Sequence, residues 1–206
     1  MKSLSKIIVL AMLLGGCAHK AIKAPLISED WPEHKTQVEA QNNWQAVGKL
    51  AVKVPNDGGS ANLQWQQTGT DYEIDLKGPF GSGKLNISGK PGNVTLTEAG
   101  QPPQNARTAE ELIRKNTGWI IPVAQLSWWV RGLPDPASKV TRFTPNAQGL
   151  IASLEQQGWT LTYGDYLTSN SPQGPLAMPG RIVAEYKDVR LTLVVREWTF
   201  GQQPQP

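Results

Sequence analysis

The sequence predicts a mainly β (α+β) fold, in which an antiparallel sheet of about ten or eleven strands surrounds a few short helices. Three observations predict it. From Val47, apolar and polar residues alternate with a period of two over about fifty residues, the pattern of strands with one wet face. Helix signals are confined to one stretch before that run and two short ones after it. Alternation then resumes between Gly149 and Trp198. Two mid-chain helices of about two turns each cannot cover the apolar face of such a sheet. Either the sheet closes as a barrel, or it bends into an open half-barrel that holds the helices against an apolar cavity. A solid core would give the same alternation.

The chain opens with Lys2 and Lys6, continues through the apolar run Ile7 to Leu14, and reaches its one cysteine in Leu14-Gly15-Gly16-Cys17. The charge, the length and the small-residue exit are those of a secretory signal, and the run is too short for a membrane helix of about 20 residues. The tetrad resembles the lipobox of bacterial lipoproteins. That resemblance implies a diacylglyceryl thioether on Cys17, cleavage before it and an acylated new N-terminus. Three acyl chains, at about 0.8 kcal/mol per buried methylene, anchor a protein stably. Ala18 stands where an aspartate commonly retains such proteins in the inner membrane, so the outer membrane is expected, with the domain on its periplasmic face. The expected boundaries are a signal peptide over 1–16, an acylated N-terminus and tether over 17–27, a folded domain over 28–200 and a disordered tail over 201–206.

Within the domain, Ser28 with Glu29, Asp30 and Pro32 marks a helix start, and the helix is expected to run to about Asn43 with Trp31, Val38 and Trp44 on its buried side. Five strands follow as a meander. Their apolar faces are Leu50, Val52 and Val54, then Ala61, Leu63 and Trp65, then Tyr72, Ile74 and Leu76, then Leu85 and Ile87, then Val94 and Leu96. Turns are signalled at Asn56 to Gly59, Thr68-Gly69, Gly78 to Gly83 and Lys90 to Asn93. Thr108 to Glu111 is a capping box that opens a short helix carrying Leu112 and Ile113 and stopping by Gly118. A second helix begins at Pro122 and ends at Gly132-Leu133-Pro134. Its adjacent Trp128 and Trp129 cannot share a face, so one is expected to pack while the other gates a cavity or meets a partner. Strands resume at about 149–155, 159–163, 181–187 and 190–198, and Thr168 to Pro179, rich in Ser, Pro and Gly, reads as a long loop.

Composition narrows the function. Loss of residues 1–16, with Lys2 and Lys6, takes the formal charge from +3 to roughly +1, so no nucleic-acid partner is expected. Once Cys17 is acylated no thiol remains for a disulfide. His19 and His34 lie apart from any carboxylate cluster, and no metal is expected. There is no Gly-x-Ser-x-Gly elbow and Glu110 and Glu111 are explained by capping, so neither an enzyme nor catalytic residues are expected. Gly78 to Lys84 has the spacing of a phosphate loop, but Leu85 replaces the Ser or Thr that would hold magnesium and a strand follows instead of a helix.

A longer series of signatures carries a resemblance. It comprises Trp44 with Gly48 to Val52, Trp65-Gln66-Gln67-Thr68-Gly69, Gly78-Pro79-Phe80-Gly81-Ser82 and Pro91-Gly92-Asn93-Val94-Thr95-Leu96. It continues through Ala109 to Ile113, Gly118 to Pro122, Leu126 to Pro134, Gln157-Gly158-Trp159 with Tyr163, and Met178-Pro179. In this order, from about Trp31 to Trp198, the chain resembles the outer-membrane lipoprotein receptor family LolB. The resemblance implies an incomplete antiparallel β-barrel with short helices covering an apolar cavity for acyl chains. It further implies a monomer without cofactor that accepts lipoproteins from the soluble periplasmic carrier LolA and releases them into outer-membrane lipid. Family members expose an apolar residue, usually leucine, at the tip of one hairpin that directs release into the membrane. Here Pro79, Phe80 and Gly81 form that tip, with Phe80 at the leucine position. The acyl chains of cargo lipoproteins are expected on the concave face at Leu50, Val52, Leu63, Trp65, Ile74, Leu76, Leu85 and Ile87, with Leu112 and Ile113 from the helix. The rival expectation is a structural or scaffold lipoprotein with a similar sheet and a filled core.

Overall fold

The long alternating run folds as strands of unusual length joined by minimal turns. This computed structural model describes residues 30–78 and 83–201. Cys17, the signal and the whole of the tether, the tip residues Pro79, Phe80 and Gly81, and the tail beyond Gly201 lie outside them. Helix α1 (Trp31–Glu39) leads into β1 (Asn43–Val54), β2 (Asp57–Thr68), β3 (Asp71–Gly78), β4 (Gly83–Lys90), β5 (Asn93–Glu98) and the short β6 (Gln104–Ala106). Helices α2 (Ala109–Thr117) and α3 (Val123–Trp129) follow. The chain then forms β7 (Val140–Pro145), β8 (Ile151–Gln156), β9 (Trp159–Gly164), β10 (Leu167–Ser171), β11 (Gly174–Met178), β12 (Arg181–Tyr186) and β13 (Val189–Phe200).

Eleven strands make one antiparallel sheet in the order β6-β5-β4-β3-β2-β1-β13-β12-β9-β8-β7, with β10 and β11 as a separate ribbon. The two ends of the sheet, β6 and β7, do not pair with each other, so the sheet is open and not a closed barrel. It is nevertheless strongly curved. Ile87 on β4 and Ile182 on β12 line the same small cavity although five strand spacings separate them, about 24 Å in a flat sheet. Part of the bend sits at β1, where the register to β13 shifts between Val47 and Gly48 and Arg196 is left as the extra residue. A side chain at Gly48 would overlap the Val194 carbonyl oxygen, so only glycine allows this approach.

Several boundaries differ from the expectation. The first helix ends at Glu39, and β1 begins at Asn43, so Trp44 belongs to a strand and is buried there beside Ala46. Alanine is too neutral in hydropathy to have extended the visible alternation backwards. The stretch Thr168 to Pro179 is not a loop: β10 and β11 pair from Leu167↔Met178 to Ser171↔Gly174 around the turn Pro172-Gln173. Its Ser, Pro and Gly suit a two-stranded ribbon, where Pro175 has no interior ladder to interrupt. Strands β6 and β7 carry too few apolar residues to show a period and were not expected.

The two mid-chain helices follow their signals closely. Thr108 Oγ1 accepts from Glu111 N at 3.2 Å, while Glu111 Oε2 reaches back to accept from Arg107 N at 3.1 Å. Glu110, expected to serve the same cap, instead accepts from Ala124 N at 2.8 Å and so ties α2 to the start of α3. Helix α3 ends in a Schellman pairing, Leu133 N donating to Trp128 O and Gly132 N to Trp129 O, with Gly132 at φ 75.

Candidate acyl-chain site

Between the sheet and α2 and α3 lies a row of three cavities. One, of about 540 Å³, opens at the end of the sheet that carries the β2–β3 turn, with Gly69, Thr70 and Pro91 on its rim. Another, of about 520 Å³, opens at the opposite end beside Asp57, Gly78 and Gly83. A waist of about 80 Å³ lies between them, and every residue around it is apolar. Trp65 and Val123 line both the waist and the first lobe, whereas Leu50, Leu76, Ile87, Ile113, Ile121, Leu126 and Leu191 line both the waist and the second. The three therefore form one apolar passage with two mouths, in the size range of small-molecule sites.

The first lobe carries the polar groups. Arg131, just beyond α3, has only 7 % of its surface exposed, and its guanidinium lies 4.9 Å from the Trp128 ring and 5.8 Å from that of Trp44. Its Nε donates to Ser127 O at 3.1 Å, and its Nη1 donates to Val38 O at 3.3 Å and Gln41 O at 3.4 Å. Burial lowers the guanidinium from its ordinary value to about 10, against the opposing pull of Glu39. Tyr72 faces the same lobe, and its phenol is pushed up to about 12 by burial and then by Glu110. Nothing in this arrangement pairs a nucleophile with a base. Its chemistry is that of a greasy groove with an aromatic end, where Arg107 and Arg131 stand with Glu39 and Glu110.

Leu63, Trp65, Ile74, Leu76, Leu50, Ile87 and Ile113 all line the waist, and Val52 and Leu85 line the second lobe. Leu112 lines none of the three cavities; it is buried beneath α2 as packing. The wall opposite the meander comes from residues not singled out from the sequence: Ile182 and Ala184 on β12, Leu191 and Leu193 on β13, Ile121, and Leu126 on α3. The alternation of β12 and β13 carried that signal, but only the curvature of the sheet shows that they face the meander. Trp129 is fully buried and Trp128 half-buried in the first lobe.

The family model described as Outer membrane lipoprotein LolB matches residues 42–198. The chain belongs to the LolB family. It is 45% identical over 191 residues to the outer-membrane lipoprotein LolB of Cellvibrio japonicus, covering 93% of each chain. It is 37% identical to that of Stutzerimonas stutzeri, over 92% of this chain and 91% of the relative. A solved LolA superfamily protein from Nitrosomonas europaea, 9% identical, superposes with a TM-score of 0.53 over 85% of this chain and 96% of its own, which shows a shared fold. As a LolB family member the chain is an outer-membrane lipoprotein receptor that handles lipoprotein cargo, and LolB is a transport family, not a known enzyme family. No helix among the described residues is long and apolar enough to cross a membrane.

Proposed function

We propose that the apolar passage is where this LolB family receptor holds the acyl chains of its cargo, taken from a LolA-type carrier at one step and released into the outer membrane at the next. The observation that supports this reading is the waist, a cavity wall without one polar side chain in a sheet open at both ends. A scaffold protein would gain stability by filling that space, since each unfilled methyl-sized gap costs about 1 kcal/mol. Passing chains from one apolar cavity to another keeps them out of water, and each 1.4 kcal/mol of preference for the acceptor shifts the equilibrium about tenfold. In this reading Cys17 carries the acyl anchor, and Pro79, Phe80 and Gly81 form the tip that directs release. A Phe immersed in lipid contributes roughly 1.5 to 3 kcal/mol, enough to bias the place of release but not to anchor the domain.

The test is transfer of a labelled lipoprotein from purified carrier to this protein and onward to vesicles, comparing the parent with Leu76→Glu. Leu76 is only partly buried and faces both waist and second lobe, so the charge enters the passage at little cost to folding. Uptake is expected to fall at least tenfold, because acyl chains filling the passage would strip water from the carboxylate, at a cost of several kcal/mol. A folded Leu76→Glu protein that accepts cargo at the parent's rate would overturn the assignment.

A further inference from the structure

The first lobe is lined by two glutamates, Glu39 and Glu110, and two arginines, Arg107 and Arg131, so its formal charges balance. Of these four only Arg131 is buried. Its Nε hydrogen and both Nη1 hydrogens are taken up by the carbonyls of Ser127, Val38 and Gln41. Its Nη2 has no hydrogen-bond partner among the described residues, yet it is not sealed off, so its two donors open on the lobe that Arg131 lines. Tyr72 brings a further donor. It is half-buried on the wall of the same lobe, and its hydroxyl, which stays protonated well above neutral pH, has no hydrogen-bond partner among the described residues. Beyond the lobe the waist offers only apolar walls. A ligand that fits both carries acceptors at its head and methylenes behind.

We infer that the first lobe is a head-group subsite, in which Arg131 Nη2 and the Tyr72 hydroxyl donate to the ester and amide carbonyls of an acylated cysteine while its chains lie through the waist. This deepens the acyl-chain reading of the passage and rests on it. A triacylated lipoprotein N-terminus presents two ester carbonyls, one amide carbonyl and no ionised group, which suits a charge-balanced lobe with donors to spare. An anion fits less well. A carboxylate or phosphate would gain Arg131 but would share the lobe with Glu39, whose field already acts on Arg131, and with Glu110, whose field acts on Tyr72. In the empty lobe water meets these donors, and only an acceptor of similar strength replaces it without loss. Arg131 has a structural part as well, since Nη1 ties Val38 on α1 and Gln41 beyond it to the segment after α3. Nη2 takes no share in that tie.

The test is competition for photolabelling. The full acylated protein is held in nanodiscs of ether-linked phosphatidylcholine, which has no ester carbonyls, and is labelled by a tritiated diacylglycerol with diazirines in its chains. The competitors are dioctanoylglycerol, the dioctyl ether of glycerol and dioctanoylphosphatidylglycerol, each counted by its concentration in the bilayer. In the parent the neutral diester is expected to compete at least tenfold better than either of the other two, as hydrogen bonds to a charged donor are among the stronger ones. Arg131→Met is expected to bring the preference for diester over diether down at least fivefold, and Tyr72→Phe to lower it about threefold. A purely structural Arg131 would weaken labelling against both competitors alike and leave the preference at the parent's value, which overturns the proposal. Equal competition by diester and diether in the parent overturns it too, as does phosphatidylglycerol that matches the neutral diester. Where Arg131→Met fails to fold, Tyr72→Phe decides, because it removes one oxygen from a partly buried ring; an unchanged preference there rejects the subsite. A parent that takes no label at all would instead sink the acyl-chain reading, and this inference with it, which keeps the two failures apart.

Discussion

Gln156 ends β8 with no exposed surface, and each side of its amide is satisfied. Oε1 accepts from Trp129 Nε1 at 2.8 Å and Asp135 N at 2.9 Å; Nε2 donates to Asp135 O at 2.8 Å and Ser138 O at 2.7 Å. It therefore locks the end of α3 and the segment after it onto the sheet. Gln156→Leu is similar in size but strands buried donors and acceptors at about 1 to 3 kcal/mol each, so urea unfolding should show a loss of about 4 kcal/mol. Tyr163 is the opposite case: its buried hydroxyl has no hydrogen-bond partner among the described residues. Burial, and then Tyr166, pushes its phenol well above the ordinary 10.0. Above pH 10 the unfolded chain loses phenolic protons that folded Tyr163 and Tyr72 keep, so stability falls as pH rises through that range. Arg131, lowered to about 10, works the other way, because the folded state sheds its proton first. Tyr163→Phe should raise stability at pH 7 by about 1 kcal/mol and make the decline above pH 10 shallower, measured as urea midpoints across pH. At this scale the sequence was partly legible. Adjacency alone separates the roles of Trp128 and Trp129, but Gln156 and Arg131 owe their importance to partners 27 and 93 residues away, which no local pattern contains.

Elements with strong local grammar were the readable ones. The capping box at Thr108, the Gly118 and Gly132 stops and the Pro91-Gly92 turn each use chemistry confined to four or five residues and appear where expected. The turn read at Asn56 to Gly59 lies instead at Pro55-Asn56, with Asp57 to Gly59 already paired in β2, and Thr68 ends β2 before a turn at Gly69-Thr70. The strand failures share one cause: where alternation runs through alanine, as in Ala46, or through Ser and Pro, as in β10 and β11, hydropathy is flat although the backbone still pairs. The bulge in β1 was also hidden, since glycine in a strand has several explanations and only the approach of Val194 selects one. Because Gly48 permits both that approach and the local bend, Gly48→Ala must push β1 and β13 apart. The expected result is a destabilisation of about 2 kcal/mol or more, read by thermal or urea unfolding. Gly69→Ala, at a turn with nothing near its Cβ position, should cost less, about 1 kcal/mol for its left-handed φ of 57. Equal losses at the two sites would mean that backbone conformation, not close approach, explains Gly48.

On the scale of the whole molecule, the alternation left a barrel, a half-barrel and a solid core open, because all three bury one face of every strand. What separates them is how far the sheet curls and whether its ends meet, and that curl brings β4 and β12, far apart in sequence, to face one another across the waist. The meander side of the passage could be read from the chain; the opposing wall of β12, β13 and α3 could not. The result is two lobes of similar volume joined by a constriction about a seventh as large. If chains enter at one mouth and leave at the other, the waist is the barrier, and Leu126, half-buried on α3 and shared by waist and second lobe, sets its width. Leu126→Trp should slow release of a bound fluorescent fatty acid to vesicles, and Leu126→Ala should hasten it, each by roughly tenfold, the equivalent of about 1.4 kcal/mol of barrier. Both substitutions touch a partly exposed side chain, so circular dichroism should show the parent fold in each. Opposite shifts in release rate would place the controlling step at the constriction. Equal shifts in one direction would mean that Leu126 acts through stability, and that chains enter and leave by the same mouth.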